Sequence, residues 1–461
     1  MKSYAKSKEL QTSLKILEAW AEEKISRLRL PGMAAGIVYD KELIWAKGFR
    51  FADIERQKPA TPKTIYRIAS ISKTFTATAI MQLRDRGLLQ LDDPVSKHLM
   101  WFKFKNRFSD TPTITIRHLL THTSGLPRES PFSYWNDYNF PTREEMIECL
   151  QKQENAYPAE TRFKYSNLAL AIAGEVVAKV AKQPYEKYIQ ENIFDPLKMA
   201  SSSVNLPKSH MERLAVPYDR PKADGLREIL PFTDSKGITP AANLSSTVED
   251  LARYISFHLS DGKVGKNTVL KSSTLREMHR IHWLYPSWKQ GWGLGIRIYR
   301  DGERTLCGHG GSVSGYRTKI LFAPAEKVGV ICLTNSEDAD PYTWGDQMMR
   351  MMAPTLASVC APPPPRFKAD PSWKKYTGTF HNSWGEVHVL FHKDDLVLMD
   401  PSYENPFDSL MKLIPVAKDV FRMEGEDGQM SIGEKAVFDM GRDGKPKSLR
   451  IGATYHYPVK P

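Results

Sequence analysis

Cysteine is scarce: Cys149, Cys307, Cys332 and Cys360 are the four in 461 residues, and none stands in a Cys-x-x-Cys pair. That excludes a zinc ribbon and a thioredoxin-like motif, and in a chain of this length it predicts reduced, mostly buried thiols. No apolar run approaches the ~18 residues of a membrane-crossing helix. Lysines precede Leu10, but no apolar segment follows them as in a secretory leader, so a soluble, cytoplasmic protein is expected. Blocks of like charge are also missing, although 65 basic residues outnumber 53 acidic ones, for a net charge of +12. An excess so interspersed reads first as a solvated surface, and neither nucleic acid nor a membrane is expected as a partner.

What is present suits a folded enzyme of two domains, since 461 residues is more than one typical core holds. Four consecutive prolines, Pro362 to Pro365, favour polyproline II and stop both helix and central strand. They place a linker at 361–366 between domains at 1–360 and 367–461.

In the first domain Leu10, Leu14, Leu17, Trp20, Ala21, Ile25 and Leu28 share one helical face. Two strand-like runs follow, Met33 to Tyr39 and Glu42 to Phe51, separated by Asp40-Lys41 as in a hairpin. A helix is expected to about Arg86, closed by Gly87, and others at Leu168 to Ala181 and Ser245 to Leu259, the last capped by Ser246 or Thr247. Trp292 to Ile298, Thr318 to Phe322 and Val328 to Thr334 read as strands. The expectation is an α+β fold: an antiparallel sheet flanked by helices, with an all-helical subdomain inserted between its early and late strands. Beyond the prolines, short alternating runs separated by glycine turns predict a small antiparallel β-barrel or sandwich.

Three stretches carry chemistry. In Ser70-Ile71-Ser72-Lys73 the serine and lysine are three apart, hence on one helical face. An amine within reach of a serine hydroxyl can activate it as a nucleophile. Taken alone, the pattern fits a capping serine and a surface lysine equally well. The second is Tyr165-Ser166-Asn167. A tyrosine whose pKa a nearby lysine lowers can act as a general base, and an asparagine can donate to a carbonyl and accept from an ammonium. The third is Gly308-His309-Gly310-Gly311-Ser312, where glycines let a substrate approach the backbone. The N–H beyond them can complete an oxyanion hole with that of Ser70.

Ser-x-x-Lys, Tyr-x-Asn and His-Gly-Gly, in that order, resemble the serine β-lactamase and penicillin-binding-protein superfamily. The likeness is to the branch of class C β-lactamases, D-aminopeptidases and family VIII esterases, over roughly residues 10 to 358. Leu119 to Leu126 and Leu244 to Leu251 also fit that branch, and the C-terminal region resembles its lipocalin-like barrels. The resemblance implies that Ser70 forms an acyl-enzyme, with Lys73 and Tyr165 sharing the base work. It implies that Asn167 holds Lys73 and the substrate, that His309, Gly310 and Gly311 contact the substrate, and that Ser70 and Ser312 supply the oxyanion hole. No metal or other cofactor is implied. His309 replaces the family's commoner lysine, and a neutral imidazole favours an ester, an amide or a D-residue peptide over an anionic β-lactam. A serine hydrolase of small esters or amides is therefore expected. A β-lactamase or D,D-peptidase, an acyl transferase or peptide cyclase, and a non-catalytic scaffold are the alternatives, and a homo-oligomer is compatible with any of them.

Overall fold

The computed structural model describes residues 7–132, 134–260, 262–264, 267–360, 370–425 and 431–459. They form two units, Met1–Cys360 and Ala361–Pro461. The proline linker expected at 361–366 lies outside the described residues.

In the first unit, Ser7 accepts the Leu10 N–H and starts helix α1 (Lys8–Arg27), which buries Leu10, Leu14, Leu17, Ala21 and Ile25. The hairpin follows as β1 (Gly32–Tyr39) and β2 (Glu42–Asp53). With short β3 (Lys58–Pro59), these pair into one sheet with strands from the far end of the unit. Those are β4 (Trp283–Leu284), β5 (Gln290–Trp292), β6 (Arg297–Asp301), β7 (Arg304–Val313), β8 (Tyr316–Ala323) and β9 (Val328–Thr334). The order is β3-β2-β1-β9-β8-β7-β6-β5-β4, antiparallel at every step. The expected insertion of a helical region between early and late strands is what the chain forms.

Strand alternation divides the unit into two cores. Val330 and Cys332 of β9 face α1 and α5 (Pro341–Cys360), packing with Leu17, Met348 and Met352. Ile331 and Leu333 face the other way, into a larger core with Phe75, Ala79 and Leu83 of α2 (Ser72–Asp85) and Tyr254 and Ile255 of α4 (Val248–Leu259). Helix α2 is buried from Ser72 to Leu83, between the sheet and α3 (Asn167–Ala181).

Locally, one expectation changes, one narrows and one helix is added. Trp292 to Ile298 is not one strand: the chain breaks between β5 and β6, where Gly295 has φ +71° and an added Cβ would lie 2.4 Å from the Ala77 Cβ of α2. Thr247, not Ser246, caps α4 by accepting the Asp250 N–H, and Ser245–Ser246 pairs as a short strand with Tyr66–Arg67. Helix α5 carries an apolar face but no assignment above, and Pro354 lies inside it.

The second unit is a closed barrel of eight antiparallel strands, β10 (Gly378–Asn382), β11 (Gly385–His392), β12 (Asp395–Met399), β13 (Met411–Ala417), β14 (Val420–Glu424), β15 (Lys435–Met440), β16 (Pro446–Ile451) and β17 (Thr454–Pro458). Closure leaves no open sheet edge. Tyr376, Phe380, Phe421 and Phe438 fill its interior with edge-on and tilted ring contacts.

Candidate active site

Ser70 lies in a single 3-10 turn, Ala69–Ile71, between the Tyr66–Arg67 strand and α2. The residue before it, Ala69, is buried with φ +47°, a left-handed conformation that costs a non-glycine residue energy. Arg67 fixes the approach: its guanidinium is buried and donates to the Asn243 side chain at 2.6 Å and to the Thr233 carbonyl. One turn on, the Lys73 ammonium donates to Ser70 Oγ at 2.9 Å and to the Ala241 carbonyl at 2.8 Å. Lys73 is 0% exposed. Burial lowers its pKa to about 7; Glu129 opposes that shift and Arg128 adds to it.

Ser166 caps α3, accepting the Ala169 N–H at 2.9 Å and donating to the Pro127 carbonyl at 2.6 Å. Its own N–H donates to His122 Nδ1 at 3.1 Å. His122 ends the helix Ile116–Thr121 in a left-handed conformation and sets its ring 4.3 Å from that of Tyr165. Tyr165 thereby lies beside Lys73, whose Nζ is 5.0 Å from its ring centroid. Its pKa is not lowered, as the base role required: burial raises the phenol above its usual value, and a hydrogen bond with Ser70 offsets only part of this. Asn167 also departs from expectation. Its amide donates to Glu129 Oε1 at 2.5 Å, its Oδ1 has no partner, and the carbonyl of Ala241 takes the place at Lys73.

The glycine-flanked histidine lies in the second half of β7. Strand β6 pairs with β7 only as far as Gly308, so from His309 to Ser312 the near side of β7 is open. Thr318 of β8 donates to the Ile68 carbonyl at 3.2 Å, tying the nucleophile's segment to the sheet. Gly311 packs on that same carbonyl, which an added Cβ would meet at 2.1 Å. His309 Nδ1 is 2.6 Å from the Gly310 carbonyl, which can only accept, so Nδ1 carries the proton and Nε2 the lone pair. Nε2 has no partner. Burial, with Lys73 nearby, lowers the His309 pKa to about 3, so the ring is neutral at pH 7.

These groups meet in a cleft of about 430 Å³ whose lining includes Ser70, Tyr165, Asn167, His309, Gly310 and Ser312. Trp135, Phe163, Tyr285 and Trp292 form its aromatic wall. Trp288, between Tyr285 and Trp292 in the chain, is 80% exposed, and Phe140 belongs to the core. The reading of motifs missed His122, Glu129 and the Ala241 carbonyl. His122 lies inside the quoted Leu119 to Leu126 stretch, whereas a backbone acceptor leaves no side-chain signature at all.

The family model described as Beta-lactamase matches residues 17–347. The chain belongs to the beta-lactamase family. Among its relatives are Beta-lactamase-like protein 2 of Dictyostelium discoideum, 28% identical over 427 residues, 87% of this chain and 76% of that one. Protein flp of Staphylococcus aureus strain COL is 30% identical over 328 residues, 68% of this chain. That match spans 61% of Protein flp, less than two thirds of its length. A solved structure with the same fold is the octameric penicillin-binding protein homologue from Pyrococcus abyssi. Its TM-score is 0.64 at 28% identity, covering 96% of this chain and 99% of the other. Membership agrees with the motif order and with the general serine-hydrolase chemistry of this family. Among the described residues no helix is long and apolar enough to cross a membrane.

Proposed function

We propose that the chain is a serine hydrolase that forms an acyl-enzyme on Ser70 and cleaves small esters or amides, peptides with D-residues included. The observation that carries this reading is a buried Lys73 at 2.9 Å from Ser70 Oγ, with a pKa lowered by burial to about 7. Half of such an amine is unprotonated near neutrality and can take the Oγ proton as the oxygen attacks a carbonyl. The N–H groups of Ser70 and Ser312 then stabilise the oxyanion. Tyr165, kept as a phenol by burial, gives its proton to the departing amine or alkoxide and regains one from Lys73. Water repeats the sequence on the acyl-enzyme and returns Ser70.

Two acceptors without partners, Asn167 Oδ1 and His309 Nε2, support a substrate that brings N–H donors to the cleft, as amides and peptides do. The likeness to an octameric homologue supports a homo-oligomer, which light scattering would measure. The deciding experiment is a panel of p-nitrophenyl esters, D- and L-aminoacyl anilides and a chromogenic cephalosporin, with Ser70→Ala as control. Turnover of esters or anilides, absent in the control, is expected, with a fluorophosphonate adduct on Ser70 by mass spectrometry. Turnover of the cephalosporin alone would favour a β-lactamase, and no turnover with no adduct would defeat the enzyme reading.

A further inference from the structure

Glu129 stands behind the cleft rather than in its wall. Arg128, Trp135 and Asn167 line the cleft, and all three donate to one carboxylate oxygen of Glu129, Oε1. The distances are 3.3 Å from Arg128 Nε, 3.0 Å from the Trp135 indole and 2.5 Å from the Asn167 amide. Glu129 itself is not among the described residues of the lining. Its side chain is 16% exposed.

The backbone fixes this carboxylate. Ser166 Oγ donates to the Pro127 carbonyl at 2.6 Å, and the Asn167 N–H to the Arg128 carbonyl at 2.9 Å. The Gln153 amide donates to the Glu129 carbonyl at 2.8 Å. Residues 127–129 are thereby tied to the first turn of α3, where the helix dipole also favours a negative charge.

One consequence falls on Asn167. A carboxylate oxygen accepts, so the contact admits only the NH2 end of the asparagine and sets the direction of its amide. Oδ1 is left on the other edge, buried and without a partner. Asn167 is 3% exposed, so bulk water does not satisfy that oxygen. Lys73 directs its hydrogen bonds to Ser70 and the Ala241 carbonyl instead. A second consequence falls on Arg128, whose guanidinium is held 5.3 Å from the Tyr165 ring centroid.

We propose that Glu129 is a positioning residue that holds Asn167 as an acceptor, so that the preferred ester or amide brings an N–H donor to Oδ1. This rests on the hydrolase reading above. An asparagine turned the other way would offer its NH2 and select a carbonyl on the substrate, and Glu129 decides between the two. A buried acceptor left unpaired is costly, so a substrate that lacks the donor is discriminated against.

Matched substrates test this on the full-length chain. p-Nitrophenyl N-acetylglycinate against p-nitrophenyl acetoxyacetate exchanges an N–H for an oxygen on the acyl side. 3-Acetamidophenyl acetate against 3-(N-methylacetamido)phenyl acetate removes the N–H on the leaving group. In at least one pair the N–H member is expected to show a kcat/KM higher by about tenfold or more, after division by each ester's rate with hydroxide. Glu129→Met should bring that ratio towards one. Glu129→Gln retains an acceptor without the charge, so it should keep most of the ratio. It should also lower the pH midpoint of kcat/KM, because the carboxylate holds the Lys73 pKa up. The ratio is taken within each variant, so a general loss of activity does not imitate the effect. The unaltered protein and Glu129→Gln decide the matter even if Glu129→Met fails to fold. Equal cleavage with and without the N–H by the unaltered protein, a ratio that Glu129→Met leaves unchanged, or a midpoint that Glu129→Gln leaves unmoved would overturn the role of Glu129 and leave the hydrolase standing. No cleavage of any ester, with no fluorophosphonate adduct on Ser70, would overturn both.

Discussion

A buried ammonium gives up its proton easily, and burial outweighs the opposing pull of Glu129 on Lys73 while it touches Ser70. The pH dependence of kcat/KM should therefore rise to a plateau with a midpoint near 7, as Lys73 deprotonates. A limb governed by ionisation of Tyr165 would instead lie above pH 10, because burial raises that phenol. Tyr165→Phe should cut kcat by about 100-fold or more while keeping the limb near 7, since proton delivery is lost but the base remains. A pH–rate series on both proteins checks this. Ser70, Lys73, Tyr165, Asn167 and His309 could be singled out in the sequence because their three motifs, in that order, resemble those of a known superfamily. The directions of their pKa shifts could not, because desolvation depends on what covers a group, and spacing says nothing of that.

In the proposed mechanism strand β7 and the 3-10 turn at Ala69–Ile71 form the oxyanion side of the cleft. Their contact is set where Gly311 meets the Ile68 carbonyl. Gly311→Ala would push Ile68, and Ser70 with it, away from Ser312. We expect a fall in kcat of about 100-fold, the scale of losing one oxyanion donor or of a 1 Å misplacement, with KM less affected. Steady-state kinetics with a p-nitrophenyl ester, beside a circular-dichroism melt, checks it. Helix α1 could be read from periodicity because it buries one side, and the hairpin from two strand-like runs parted by Asp40-Lys41. The break between β5 and β6 could not: Trp292 to Ile298 reads as one strand, and the reason for its interruption is the fit of Gly295 against Ala77, more than 200 residues away in sequence. Helix α5 was missed for a different reason, since Pro354 is a local stop signal that tertiary packing of Met348, Met349 and Met352 overrides.

On the scale of the whole molecule, the two units bury separate sets of residues. Calorimetric unfolding should depart from a single two-state transition. Phe438→Ala removes a ring that is 3% exposed in the barrel core, a loss of about 3–5 kcal/mol. It should lower one transition and leave the other in place; a uniform shift of both would show that the units unfold as one. The barrel was legible from alternating runs, as strands filling an interior from one side must be, whereas its closure depends on pairing of β10 with β17, a contact between the ends of the unit.

The burial of Lys73 also sets function against folding. Its folded pKa, about 7, is below the unfolded value of ~10.4. Between these the unfolded chain binds the extra proton, so this lysine's destabilising effect is full at and below about pH 7 and fades as pH rises towards 10. Lys73→Met should therefore raise the Tm at pH 7 and raise it less at pH 10, measured by thermal melts at the two values. A descendant freed from selection for turnover would gain robustness by that one change, so loss of this lysine in an otherwise intact sequence would mark a lineage that kept the scaffold and gave up the chemistry.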